Sequence, residues 1–177
     1  MKERPIIFSA DSVKAIIDGR KTQTRRVVKP NQRTKWLLCY DWTDEYIKDP
    51  DNYLVKECPY GEPGNGLWVR ETWADPCDER LPVYKADNAT AYQSIKWRSP
   101  IYMPRWASRI TLEITDVRVE RLQDINFQGL SAEGMYGELT NALDRYEELW
   151  DNLNAKRGYP WSSNSWVWVI EFRKVTP

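Results

Sequence analysis

The sequence predicts an α+β fold built around a small, mostly antiparallel or mixed β-barrel. Strand patterns stand at both ends and in the middle of the chain, and three helical segments lie between them. Strand and helix do not alternate, which excludes a parallel βαβ architecture. At 177 residues, 41% of them hydrophobic and 29% charged, the chain suits one domain with a packed core.

Residues 4–8 hold Pro5, Ile6, Ile7 and Phe8, a short apolar run that fits a buried strand. Ser9 then reads as an N-cap, and Val13, Ala15, Ile16 and Ile17 give the following helix one apolar face. Gly19 stands where a left-handed residue ends such a helix. Residues 19–26 alternate as an extended segment that Lys29-Pro30 closes. Residues 31–66 are polar turn chemistry, with a hairpin expected around Trp36 to Trp42. Leu67 to Trp73 (LWVRETW) is a strand, and residues 83–85 are expected to pair nearby. Residues 108–119 alternate Ile110, Leu112, Ile114, Val117 and Val119 with polar neighbours, a long strand with a bulge near Thr115-Asp116. Residues 124–133 predict a short helix capped by Asp124 or Asn126. Residues 140–155 predict the clearest helix, with Leu143, Tyr146, Leu149, Trp150 and Leu153 on one face. Residues 166–173 (WVWVIEFR) predict a closing strand.

Composition removes several chemistries. Lys plus Arg equals Asp plus Glu at 26 each, so a uniformly basic nucleic-acid coat is excluded while a local basic patch is not. His is absent. That excludes Ser-His-Asp and Cys-His nucleophiles, His-ligated metals and imidazole proton shuttles. Cys39, Cys58 and Cys77 lack C-x-x-C spacing and make a poor zinc set, so neither a metal nor a cofactor is expected. The odd thiol count and the lack of an apolar leader point to reduced thiols and a cytoplasmic location. No apolar run approaches the roughly 20 residues of a membrane helix. Asp44-Glu45, Asp49 to Asp51, Asp75 to Glu79 and Glu147-Glu148 read as solvated acidic surface, none having the spacing of a calcium loop.

The densest candidate for chemistry is Gly19-Arg20-Lys21-Thr22-Gln23-Thr24-Arg25-Arg26. Extended, it puts Lys21, Gln23 and Arg25 on one face and Thr22, Thr24 and Arg26 on the other. A bend near Gly19 would bring Lys21 and Thr24 together in an anion or nucleotide contact. The competing reading is a solvated basic edge strand, where cations discourage sheet-to-sheet pairing.

In this position, after a strand and a short helix, GRKTQTRR resembles the G-x-K-x-x-x-x-R signature of the ASCH domain, through Gly19, Lys21 and Arg26. Residues 63–73 (PGNGLWVRETW), 99–125 and 165–172 (SWVWVIEF) resemble the ASCH-type proteins of tailed phages and prophages. The resemblance implies a PUA-like fold, a small mixed barrel with flanking helices and a cleft, as one domain over residues 1–177. Insertions fall around 31–66 and 134–164. It also implies RNA or modified-nucleoside recognition. One branch deacetylates N4-acetylcytidine with a Lys and a Thr of this segment and a later Glu. Residue by residue these fall on Lys21, Thr24 and, in Ser131-Ala132-Glu133-Gly134-Met135, on Glu133. The chain departs from that branch by its length and by an aromatic-rich insertion before LWVRETW.

The trio has a coherent physics. A Thr hydroxyl needs a neighbour to take its proton, and without His that neighbour is Lys21. Burial and the cations Arg20, Arg25 and Arg26 would lower the pKa of Lys21, while a close Glu133 would raise it. Glu133 also reads as an ordinary polar residue at a helix end. The implied function is recognition of a nucleic acid or modified nucleoside in a cleft lined by Gly19, Arg20, Arg26, Trp68, Arg70 and Glu71, with amide hydrolysis by Lys21, Thr24 and Glu133. The alternatives are a non-catalytic RNA or modified-base binding module, and a phage assembly or host-interaction protein that keeps only the fold. A ribonuclease would have to work with Lys, Arg and carboxylates.

Ten Trp and ten Tyr stand against three Phe. Trp150, Trp166 and Trp168 sit in periodic elements and are expected in the core. In LWVRETW, Trp68, Arg70 and Thr72 share one face and Val69, Glu71 and Trp73 the other. Arg70 and Glu71 cannot both be buried without partners, so one of them is expected to line a cleft. Residues 104–109 form a second basic-aromatic cluster, read as a loop anchored by a buried Trp106.

Overall fold

The computed structural model describes residues 2–31, 34, 44–48, 53–75, 81–87 and 95–175. The chain opens with β1 (Glu3–Ile7) and α1 (Ala10–Ile17). Ser9 caps α1 by accepting from the Ser12 amide, satisfying one of the orphan donors of the first turn. Gly19 ends it at φ +72°, the left-handed conformation that a glycine adopts without a Cβ penalty. β2 (Gln23–Val27) follows. Two short helices, α2 (Asp44–Lys48) and α3 (Tyr53–Lys56), stand where the sequence reads as loop. The hairpin expected around Trp36 to Trp42 lies outside the described residues.

β3 (Gly66–Arg70), β4 (Trp73–Ala74) and β5 (Val83–Tyr84) come next. LWVRETW is therefore not one strand. It breaks at Glu71-Thr72, and its second part pairs with β5 in a separate two-stranded sheet, the partner expected at residues 83–85. β6 (Thr111–Arg121) is the long central strand, and its register with β7 (Trp166–Val175) slips between Ile114 and Asp116, where the sequence places a bulge. Between them lie α4 (Phe127–Ala132), capped by Asn126, and α5 (Leu139–Asn154).

The fold class is α+β, as expected, with a mixed sheet. The expected barrel is corrected: the main sheet is open, in the order β1-β3-β6-β7-β2, with β1 parallel to β3 and the other pairs antiparallel. β1 and β2 are its two edges.

The sheet is buried on both faces along β7. Trp168, Ile170 and Phe172 point into a core with Ile6, Phe8, Val13, Ile16, Leu67, Val69 and Leu112, and α1 packs there. Val167 and Val169 point into a second core under α4 and α5, with Leu122, Leu130, Ala142, Tyr146 and Trp150. A strand covered on both sides reads as a continuous apolar run, which explains WVWVI. Trp150, Trp166 and Trp168 are buried, as expected, and each contributes on the order of 2–3 kcal/mol by leaving water. On α5 the apolar face stops short of Leu153, which is exposed. Among the described residues no helix is long and apolar enough to cross a membrane.

Candidate functional site: a buried Lys–Glu pair beside a groove

The turn after α1 is clamped by its backbone. The amides of Arg20 and Lys21 both donate to the Ala15 carbonyl. Thr22 then bridges two elements, its amide donating to the Ala132 carbonyl at the end of α4 and its carbonyl accepting from the Phe172 amide of β7. Lys21 is thereby set against Glu133, the residue that ends α4. Gly134 lets the two segments meet at φ +88°, in contact range of Ala15 and Lys21.

Lys21 Nζ donates to the Glu133 carboxylate in a tight ion pair and to the Glu133 carbonyl at 3.0 Å. Both side chains are buried, at 5% exposure each. Arg25 Nη1 lies 3.7 Å from the same carboxylate, and Arg25 Nη2 pairs with Glu120 at 2.9 Å. Tyr146 Oη, from α5, approaches Glu133 Oε1 at 3.5 Å. Burial holds the Lys21 amine below the ordinary lysine range, with Arg25 and Arg26 acting in the same direction against the pull of Glu133. Burial, and then the Glu133 carboxylate, push the Tyr146 phenol well above its ordinary value. The solvated-edge reading of this segment fails for Lys21, Gln23 and Arg25, because α4 and α5 cover that face of β2.

Glu133 also lines a groove of about 470 Å³ between α1 and α5. Ser9, Ser12, Ala15, Met135, Leu149 and Asn152 shape it, and its lining carries both Lys14, Arg20 and Arg145 and Asp11 and Glu148. Its size suits a small organic ligand. Among the described residues no cluster of three or more Cys, Asp or Glu could hold a metal ion.

The remaining sequence-predicted residues fall elsewhere. Thr24 is buried opposite Ile170, on the core face of β2 that also carries Arg26, while Arg25 is on the other face. Gly19 forms the turn, with open space where a Cβ would stand. Arg20 is exposed, pairs with Asp18 at 2.7 Å and lies 6.0 Å from the Tyr136 ring. Arg26 donates to the Ile7 carbonyl at 2.7 Å and lies over Phe8 and Tyr60. Arg70 stacks over Trp68 at 4.7 Å.

Glu71 belongs to a different cluster. It is buried and receives both Nε and Nη2 of Arg109, whose Nη1 reaches Asp87 and whose plane lies over Tyr84 at 3.9 Å. Burial pushes its carboxyl above the usual carboxylate range despite Arg109. The loop at residues 104–109 is anchored by Met103 and Ala107, while Trp106 is 67% exposed with an edge-on contact to the buried Trp73. That corrects the expected burial of Trp106. Cys58 is buried, and its thiol is pushed up to about 11, which leaves it inert.

Tyr146, expected only on the apolar face of its helix, is also a polar member of the site. The signal was present: a phenol on an apolar stripe asks for a buried hydrogen-bond partner.

No family model matches the chain, and no curated protein does. Solved structures similar to it include the following two. One is the ASCH domain from Lactobacillus crispatus JV V101, at 10% identity and a TM-score of 0.48, over 98% of this chain and 79% of that one. The other is a protein of Enterococcus faecalis V583 assigned to the family model DUF984, at 10% identity and a TM-score of 0.46, over 92% of this chain and 65% of that one. Both are likenesses of overall fold.

Proposed function

We propose that the chain binds a nucleoside, or a nucleotide unit of single-stranded RNA, in the groove between α1 and α5. One observation carries this reading: Glu133 lines a ligand-sized groove and is held in a nearly dry ion pair with Lys21 behind it. Burying two charges costs several kcal/mol per ion, and a hydrophobic pair of similar volume would serve stability as well or better. A buried ionisable pair with a perturbed lysine, reachable from a cleft, is the signature of a working site. Glu133 offers acceptors to the amino and imino hydrogens of a base, and Lys14, Arg20 and Arg145 offer positive charge to its phosphate. The chain is neutral overall, so few phosphates are engaged and the salt dependence is shallow.

Calorimetric titration with nucleosides and short RNA oligomers tests this. Saturable binding that weakens in Arg145→Ala is expected. Heat-silent titrations with every nucleoside at millimolar concentration would contradict it.

The lowered amine of Lys21 favours a second reading, hydrolysis of an N-acylated nucleoside such as N4-acetylcytidine. Neutral Lys21 takes the proton from a water, the water oxygen attacks the acyl carbon, and the amide C–N bond breaks as the proton passes to the leaving amine. With water as nucleophile, acetate leaves directly. Thr24 lies on the other face of β2, so Thr24→Val should retain acetate release. No release by the wild type leaves the binding reading alone.

A further inference from the structure

A second cavity, of about 190 Å³, opens beside Arg25 and shares no lining residue with the groove. β2 contributes Gln23 and Arg25, β6 contributes Arg118 and Glu120, β7 contributes Glu171, and α4 closes it with Gly129. Gln23 and Arg25 are both more than nine-tenths buried. Gln23 Nε2 and Arg25 Nε have no hydrogen-bond partner among the described residues, and Arg25 Nη1 has only the Glu133 carboxylate at 3.7 Å. The orientation of the Gln23 amide is set by Arg118, whose Nη2 donates to Gln23 Oε1 at 3.2 Å and leaves Nε2 as the free end.

Buried donors without acceptors are rare in folded proteins and each asks for an explanation. Here the inner wall is made of donors. The lining also carries two cations, Arg25 and Arg118, and three carboxylates: Glu120 pairs with Arg25 and Arg118, Glu171 with Arg118, and Asp124 with Lys48. Carboxylates outnumber cations in the lining, so an anion is disfavoured, while an uncharged acceptor is wanted beside Gln23 and Arg25. The volume admits one ring. A Cβ at Gly129 would stand 3.1 Å from Arg25 Nη2, so the bare backbone there keeps the guanidinium in place.

We infer that this cavity binds an uncharged single-ring heterocycle, as free base or nucleoside. Adjacent ring-nitrogen and carbonyl acceptors face Gln23 and Arg25, and an exocyclic amine faces the lining carboxylates. Cytosine has that edge. Uracil puts an N–H donor against the donor wall, and a nucleotide brings a phosphate to the acidic lining. The two cavities share no lining residue, though Arg25 stands 3.7 Å from Glu133, so the shift map separates them.

The test is calorimetry and amide NMR on the full chain with cytosine, uracil and cytidine 5′-monophosphate. Saturable cytosine binding is expected, at least tenfold tighter than uracil or the monophosphate, with shifts centred on Gln23, Arg25 and Gly129. Gln23→Met and Gly129→Ala should each weaken it at least tenfold. The shift map of the wild type decides even if a variant fails to fold. No saturable binding, equal affinity for uracil, tighter binding of the monophosphate, or shifts confined to α1 and α5 would each overturn the inference.

Discussion

Arg26, on one edge of the main sheet, donates from Nη2 to the carbonyl of Ile7 on the other edge, at 2.7 Å. The two outer strands share no ladder, yet this guanidinium spans them while lying over Phe8 and Tyr60. A curled open sheet is thus held at its mouth by a side chain rather than by backbone pairing. Lysine cannot copy a planar donor seated on two rings. Arg26→Lys should cost about 1–3 kcal/mol, the range for a charged hydrogen bond, measured by urea unfolding. Amide exchange at Phe8 should quicken in the same variant.

Lys21 and Glu133 should behave as a unit. Lys21→Met leaves a buried carboxylate whose strongest partner is gone, and should destabilise by about 3–5 kcal/mol. Adding Glu133→Leu removes the stranded charge and should restore most of the loss. Denaturant midpoints for the two single variants and the double variant give the coupling directly; simple additivity would contradict the pairing.

Glu71 makes stability fall as pH rises. Its folded carboxyl is held above the usual range, so between its ordinary and its raised value the folded chain keeps a proton that the unfolded chain has lost. Unfolding free energy should therefore decline across that window and level off above it. Glu71→Gln should flatten this part of the profile, as read by thermal melts from pH 4 upward.

Gly19→Ala should cost about 1 kcal/mol, because an L-residue resists the left-handed region. The space for a Cβ is open, so the loss is one of backbone conformation alone, and Gly19→Asn should lose less. Melting of the two variants side by side checks this.

Much of the framework is legible in the sequence because it is local. Ser9, Gly19 and Asn126 announce their helix ends by chemistry, and the alternation around Ile110 to Val119 carries its own bulge. What was illegible depends on what lies across a gap. Lys21 and Arg25 look like solvated edge cations until α4 and α5 close over that face. Trp73 and Trp106 are equally aromatic, and only the docking of the second sheet decides which is buried. The step at Glu71-Thr72 is hidden because both halves of LWVRETW have strand composition while belonging to different sheets.

The central claim is that the buried Lys21–Glu133 pair senses a ligand in the groove between α1 and α5. Nitrogen-15 NMR of the lysine side chains reports on Lys21 Nζ itself, assigned by loss of its signal in Lys21→Met/Glu133→Leu. The account predicts an Nζ that titrates below the other lysines and shifts saturably when a nucleoside is added, in step with amide shifts along α1 and α5. A Lys21 resonance that titrates with the surface lysines and is unmoved by every nucleoside would contradict it.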